Sequence, residues 1–206
     1  MIKIAVSKGR IERDFCKILN KVGYDIEPII NKKRKLLIKL EDNIEMIFVK
    51  ADDVGTYLKY GSADIGIVGN DVLIEQGLTN YFELLDLNIG KCKFCLASNS
   101  SFNKDSLDKV IATKYPKITR QFFNSKKEKV KIVKLNGSVE LGPIVKISDA
   151  IVDIVETGDT LRENGLEVVE EICDISTRLV ANKSSLDLKK NEIYSFVNRL
   201  EEGIKC

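Results

Sequence analysis

The 206 residues contain no histidine and no tryptophan. The first absence restricts function the more. Ser-His-Asp and Cys-His nucleophile systems, imidazole general bases and Cys/His zinc sites are all excluded. Any chemistry must run on carboxylates, Lys, Arg, hydroxyls, thiols, backbone amides or a bound metal ion. No apolar run reaches the length of a membrane span, and no N-terminal apolar segment ends in a small-residue cleavage site; a cytoplasmic protein is expected. An excess of one charge is missing too. Thirty-three basic residues face 31 acidic ones, for a net charge of +2, whereas a nucleic-acid binder carries a basic surplus. What remains is an ordinary globular composition, 44% hydrophobic and 31% charged, long enough for one large domain or two small lobes without covalent staples.

The cysteines are Cys16, Cys92, Cys95, Cys173 and Cys206. An odd count in a chain without a visible leader argues against a disulfide framework. Cys92 and Cys95 form a C-x-x-C, but they lie in an apolar run that reads as a strand, where positions three apart face opposite sides. No second C-x-x-C exists to complete four ligands. Reduced, partly buried thiols are expected.

The chain alternates strand, turn and helix. Ile2 to Val6 reads as a strand, and Ile11, Phe15, Ile18, Leu19 and Val22 form a helical stripe ended by Gly23. Leu36–Leu40 and Met46–Val49 pair across the turn Glu41-Asp42-Asn43. Asp52 or Asp53 caps a helix running to Leu58, and Ile65–Val68 leads through Gly69-Asn70-Asp71 into a helix closed by Gly77. After Cys92, strands are expected at 94–97, 110–112, 130–133, 150–155, 168–175 and 178–181. Helices are expected after Pro116, around Val139 to Val145, and from about Asp187 with a stripe of Ile193, Phe196, Val197, Leu200 and Ile204. This rhythm implies parallel sheets covered by helices. In such sheets ligands sit beyond the C-terminal strand ends, and here those ends carry Lys8-Gly9-Arg10, Gly69-Asn70-Asp71, Thr113-Lys114-Tyr115, Gly137-Ser138 and Thr157-Gly158-Asp159-Thr160.

The strongest local signal is the run from Asp153 to Leu161. A buried strand enters a Thr-Gly-x-Thr turn and then a helix. Glycine permits the sharp turn, exposed amides point at an anion, and two hydroxyls add donors. Acidic residues just upstream suit ribose hydroxyls or a phosphate-bound magnesium ion. A capped strand-to-helix turn, with Thr157 or Thr160 as N-cap, explains the same residues. Lys8-Gly9-Arg10 offers two cations around a glycine at a helix start, suited to phosphate or simply a charged surface turn. Asp71 fits either a site or a helix cap, and Lys32-Lys33-Arg34-Lys35 reads as a solvated charge run. Neither G-x-x-x-x-G-K-[ST] nor G-x-G-x-x-G occurs, so an ordinary nucleotide-binding module lacks its fingerprint.

Together the segments Ser7 to Arg10, Gly61 to Asp71, Ala112 to Pro116, Leu135 to Leu141 and Asp153 to Leu166 resemble the ATP phosphoribosyltransferase family, over nearly the whole chain. The last two segments are the most specific to that family, and the length is similar to its short, catalytic-only form. The resemblance implies an α/β fold of two lobes of the periplasmic-binding-protein type with the active site in the inter-lobe cleft. The first lobe would comprise residues 1–90 plus 176–206, and the second 91–175. It implies transfer of the phosphoribosyl group of phosphoribosyl pyrophosphate to N1 of ATP, releasing pyrophosphate, with Mg2+ required. By the same resemblance Thr157, Gly158, Asp159, Thr160 and Leu161 cradle the ribose 5-phosphate, and Asp153 and Glu140 lie near the ribose. Lys8 and Arg10 act catalytically on nucleotide and pyrophosphate groups, with Lys50 and Asp71 across the cleft; no residue is assigned as a metal ligand.

The chain departs from the family pattern at Ser7, usually proline, Lys50, commonly arginine, Gly55, often proline, and Gly142, usually alanine. Asp159 brings a negative charge into the loop, which repels phosphate unless it points outward or meets magnesium. With the chain ending at Cys206, the resemblance further implies a separate regulatory subunit, similar to histidyl-tRNA synthetase, in a hetero-oligomer. The competing reading from another class is a small-ligand sensor of the same fold without catalysis. The Thr-Gly-x-Thr loop favours the enzyme, because an amino-acid sensor needs no phosphate cradle.

Overall fold

The apolar run at the N-terminus is a strand buried on both faces, and it organises the first half of the chain. The computed structural model describes residues 1–41 and 43–205, the last of these by its backbone alone; expectations that rest on Asp42 and Cys206 lie outside the described residues. In chain order the elements are β1 (Ile2–Ser7), α1 (Arg10–Lys21), α2 (Glu27–Ile30), β2 (Leu37–Leu40), β3 (Ile44–Val49), α3 (Ala51–Lys59), β4 (Ile65–Gly69), α4 (Asn70–Gln76) and β5 (Tyr81–Asp86). There follow β6 (Cys92–Ser98), β7 (Lys109–Thr113), α5 (Pro116–Ser125), β8 (Val130–Lys134), α6 (Leu141–Ile144), β9 (Ala150–Val155), α7 (Asp159–Glu163) and β10 (Glu167–Ile175). The chain closes with β11 (Thr177–Asn182), α8 (Lys183–Leu188) and α9 (Lys190–Lys205). Two compact units result, Met1–Gly90 with Ser176–Cys206, and Lys91–Ile175.

The first unit is built on a sheet of order β2-β3-β1-β4-β11-β5. Period-two alternation sorts its side chains. Ile4 and Val6 face a cluster with Phe15, Ile18 and Leu19 of α1 and Phe196, Val197 and Leu200 of α9. Ala5, Val68 and Val180 face Val54 and Leu58 of α3 and Val72 and Leu73 of α4. Asp64, only 4% exposed, pins the closing helices to this sheet. Its carboxylate accepts the Lys3 amide at 2.8 Å and Lys189 Nζ at 2.7 Å. Burial pushes its carboxyl up, but these bonds and one from Ser185 outweigh that and hold it below the usual carboxylate range.

The second unit has a five-stranded sheet of order β10-β6-β9-β7-β8. Ala97, Ala112, Val139, Ile151, Leu161 and Leu166 pack together in one of its core clusters. Phe94 and Tyr115 meet edge-on at 4.8 Å.

Both sheets are mixed rather than purely parallel. The strands β1, β3 and β4 run parallel, as do β7, β8 and β9. By contrast β2, β6, β10 and β11 form antiparallel ladders. Parallel neighbours need a long crossover, whereas β2 and β3 follow closely on one another in the chain and pair antiparallel. Three elements lie outside the sequence expectations, namely α2, β5 and the separate α8. Asn182 caps α8 by accepting the Ser185 amide at 3.1 Å. At α3 the N-cap is Lys50, while Asp52 and Asp53 occupy the first turn, where they act on the helix dipole instead of as caps.

Gly142 shows why alanine is absent there. An added Cβ would lie 2.6 Å from Ser148 Oγ and 3.0 Å from Ala112 Cβ. The Ser148 hydroxyl is itself buried with no hydrogen-bond partner among the described residues. Gly142→Ala is therefore expected to destabilise the chain by about 1–3 kcal/mol through overpacking. Adding Ser148→Ala should recover most of that loss in urea titrations. An undiminished loss in the double variant would assign the strain to Ala112.

Candidate functional site

The parallel register gathers chemistry at one edge of each sheet. In the second unit, β7 and β8 end together at Thr113 and Lys134, and β9 runs on three residues past Val152, the partner of Thr113, to Val155. Thr113 secures this edge. Its buried hydroxyl donates to the Val152 carbonyl at 2.7 Å and accepts the Tyr115 amide at 2.9 Å, while the Leu135 amide reaches its carbonyl at 3.0 Å. Beyond β9 the chain turns at Gly158, whose φ of 77° is left-handed and costs a residue with a side chain. This glycine, and neither Thr157 nor Thr160, is the N-cap of α7, and no side chain caps the helix.

Asp159 is neutralised within the loop. It forms an ion pair with Arg162 and accepts the Thr157 hydroxyl at 2.5 Å, and these bonds hold its carboxyl below the usual range. Arg162 also donates to the Thr157 carbonyl at 3.2 Å. The anticipated repulsion of phosphate is thereby offset without magnesium. Thr157 and Thr160 are exposed, whereas the Leu161 side chain, 5% exposed, is part of the core. Leu161 thus anchors the loop and leaves only its backbone for a ligand.

Asp153 and Glu140 come together on this edge. Burial is the main cause that raises the Asp153 carboxyl from its usual 3.8 to about 6; Glu140 adds to the rise, while the Ile154 amide, at 2.8 Å, and Lys114 oppose it.

In the first unit β1, β3 and β4 likewise end side by side, bringing Lys8, Lys50 and Asp71 to one edge. The Lys8 amide extends the β1–β3 ladder to the Val49 carbonyl at 2.9 Å. Gly9, at φ 99°, starts α1 with open space where a Cβ would stand, so its backbone angle and not packing requires glycine. Arg10 opens that helix and donates to the Gly90 carbonyl at 3.4 Å. Sequence reasoning missed the rest of this edge. Ser176 donates to Asp86 at 2.9 Å, its amide reaches Asn70 Oδ1 at 3.2 Å, and Arg178 pairs with Asp86 at 2.8 Å. These partners are too far apart in sequence for any motif to mark them.

Cys16, Cys92, Cys95 and Cys173 form no disulfide among the described residues. Burial pushes Cys16 up to about 11 and also raises Cys95 and Cys173, which favours their protonated form.

Comparison with known proteins adds an independent finding. A family model described as ATP phosphoribosyltransferase matches residues 50–202. An ATP phosphoribosyltransferase of Clostridium botulinum is 51% identical, covering 99% of this chain and 98% of its own length. Among solved structures, an ATP phosphoribosyl transferase (HisG:HisZ) complex from Thermotoga maritima matches with a TM-score of 0.83 at 37% identity, covering 100% of this chain and 99% of that one. The periplasmic aliphatic sulphonate binding protein of Escherichia coli matches with a TM-score of 0.61 at 11% identity over 98% of this chain and 72% of its own, a likeness of fold alone.

The raised Asp153 carboxyl carries a test. Because its folded pKa lies above the unfolded one, the native state binds more protons between pH 4 and 6, and stability falls as pH rises through that window. Asp153→Asn removes a buried charge and should stabilise the chain at pH 7.5 by roughly 2 kcal/mol, with no gain at pH 3.5. Thermal melts at both pH values decide it; an equal gain at each would exclude the charge as the cause.

Proposed function

The chain belongs to the ATP phosphoribosyltransferase family, and we propose that the residues described above serve that family's reaction. It is a transferase of the first step of histidine biosynthesis. The C1–oxygen bond of phosphoribosyl pyrophosphate breaks, pyrophosphate departs with its electron pair, and N1 of ATP bonds to C1. The observation that carries the assignment is the edge of the second unit, where a Thr-Gly-Asp-Thr loop with its acid already paired adjoins Asp153 and Glu140.

In this reading the amides of 157–160 and the Thr160 hydroxyl hold the 5-phosphate, joined by the Thr157 hydroxyl as its one proton turns from Asp159 to the ligand, and Asp153 and Glu140 accept from ribose hydroxyls. Lys8 and Arg10 stabilise the charge that develops on pyrophosphate, and Lys50 and Asp71 position the nucleotide. Adenine N1 attacks through a neutral lone pair, so the reaction proceeds without a strong base and without histidine. Magnesium enters on the substrate phosphates. The donor set suits this, since Asp153 and Glu140 form a pair rather than a cage, and Mg2+ is commonly held by phosphates and water with few protein ligands. Neutralising pyrophosphate is the chemistry it supplies. The sensor reading loses its support, because the relatives of high identity are transferases.

Two further parts of the reading rest on indirect support. No described helix is long and apolar enough to cross a membrane; a cytoplasmic location fits substrates made and used in that compartment. The Thermotoga relative was solved as a HisG:HisZ complex, which supports a separate partner for this chain, a histidyl-tRNA-synthetase-like regulatory subunit that binds histidine.

The direct experiment mixes the chain, with and without that partner, with ATP, phosphoribosyl pyrophosphate and Mg2+ and follows pyrophosphate release. No release in either mixture rejects the assignment. The chain alone should be slow and insensitive to histidine, and the partner should restore both rate and inhibition; strong inhibition of the chain alone would rule out the separate effector site. Replacing both Thr157 and Thr160 by Ala removes donors to a charged group worth about 1.5–3 kcal/mol each. Calorimetry should show sugar-diphosphate affinity falling well over tenfold with ATP affinity little changed.

A further inference from the structure

The parallel ladder that sets the second unit's edge also places one cation that the assigned roles leave unused. Thr113 of β7 is in register with Val152 of β9, and Lys114 follows directly on the end of β7, close enough to Asp153 for its charge to act on that carboxyl. On the other side of Asp153 stands Cys95, and beyond it Glu171. The ladder across β9, β6 and β10 therefore reads Asp153, Cys95, Glu171, with Lys114 just beyond the end of β7. The groups facing Asp153 are the Lys114 ammonium, the Glu140 carboxylate and the Cys95 thiol.

Building on the sugar-phosphate reading of this edge, we propose that Lys114 is a further binding residue for the sugar diphosphate, its ammonium meeting an anionic oxygen of the ligand beside Asp153. Three observations support it. The backbone beneath Lys114 is held at both ends by the Thr113 hydroxyl and by Tyr115, which packs edge-on against Phe94. The side chain is exposed, with its ammonium 5.7 Å from the Tyr115 ring. It also differs from the cations of the same unit that are already paired. Lys93, Lys109, Lys126 and Arg162 are already committed to Glu171, Glu128, Glu170 and Asp159. Lys114 makes no ion pair among the described residues, so a ligand recruits it without breaking one. A bare surface lysine would share the exposure but would have no reason to stand next to a desolvated carboxyl on the edge that carries the phosphate loop. The same ammonium favours the ionised form of Asp153.

The test uses the full chain with Mg2+ and phosphoribosyl pyrophosphate, and compares Lys114→Gln, Lys114→Arg and the Thr157/Thr160 double alanine variant. Calorimetry on Lys114→Gln should show affinity for the sugar diphosphate down about tenfold, with ATP affinity within about twofold. The loss of affinity on acidification should move up by about half a pH unit or more, because Asp153 no longer faces a cation. Comparison with the parent chain cancels the ligand's own titration. Lys114→Arg should stay within about threefold of the parent, since it keeps the charge. If Lys114→Gln binds like the parent at every pH while the double alanine variant is weakened, Lys114 is a surface residue and only this proposal fails. If neither binds differently, the sugar-phosphate reading of the edge fails as well. A lowered melting temperature with equal loss of both substrates would make Lys114 structural and overturn the proposal.

Discussion

Insertion of β11 between β4 and β5 is the constraint on which the first unit depends. Without it β4 and β5 would each present an open row of backbone donors and acceptors. With it, Thr177 pairs with Gly69, Leu179 with both Ile67 and Leu85, and Ala181 with Ile65. Gly66 makes the insertion possible, since an added Cβ there would lie 2.8 Å from Leu58, 2.9 Å from Val54 and 3.2 Å from Val180. The ladder also reaches the functional edge, where the Asn70 amide meets the Ser176 carbonyl at 3.0 Å. It joins segments 106 residues apart at Asn70 and Ser176. Pairings of that separation form late, because loop closure must precede any contact energy.

A second regularity is the way charge is handled at the two edges. In the first unit Lys8 and Lys50 remain exposed, ready for polyanionic groups. In the second, the one acid inside the loop is paired with Arg162, and the acid at the strand end is partly desolvated. A reaction that develops negative charge on departing pyrophosphate needs cations and donors more than a proton acceptor. The lack of histidine is therefore no handicap to this chemistry.

Much of the fold was legible because local patterns carried it. The stripe of Phe15, Ile18 and Leu19 and the left-handed Gly23 marked α1, and Pro116 marked the start of α5. Strand β5 escaped notice because an edge strand pairs on one side and shows no alternation; Phe82 and Glu83 are exposed in succession. The break between α8 and α9 escaped too. It falls at Lys189, whose ammonium is drawn to the buried Asp64, a partner 125 residues away. The phosphate loop was readable since its donors are consecutive. The Asn70, Asp86, Ser176 and Arg178 group was not, since it exists only once β11 has paired.

By itself the sequence determined the chemistry available, the alternation of strands and helices, the family, and the loop from Thr157 to Thr160. Each of these rests on residue type and on spacings of a few positions, which the chain carries before it folds. Tertiary structure alone decided the direction of the outer strands, the company of Asp153 and the neutralisation of Asp159 by Arg162. Those depend on ladder register and burial, and register is a property of two segments brought together, which neither segment specifies alone.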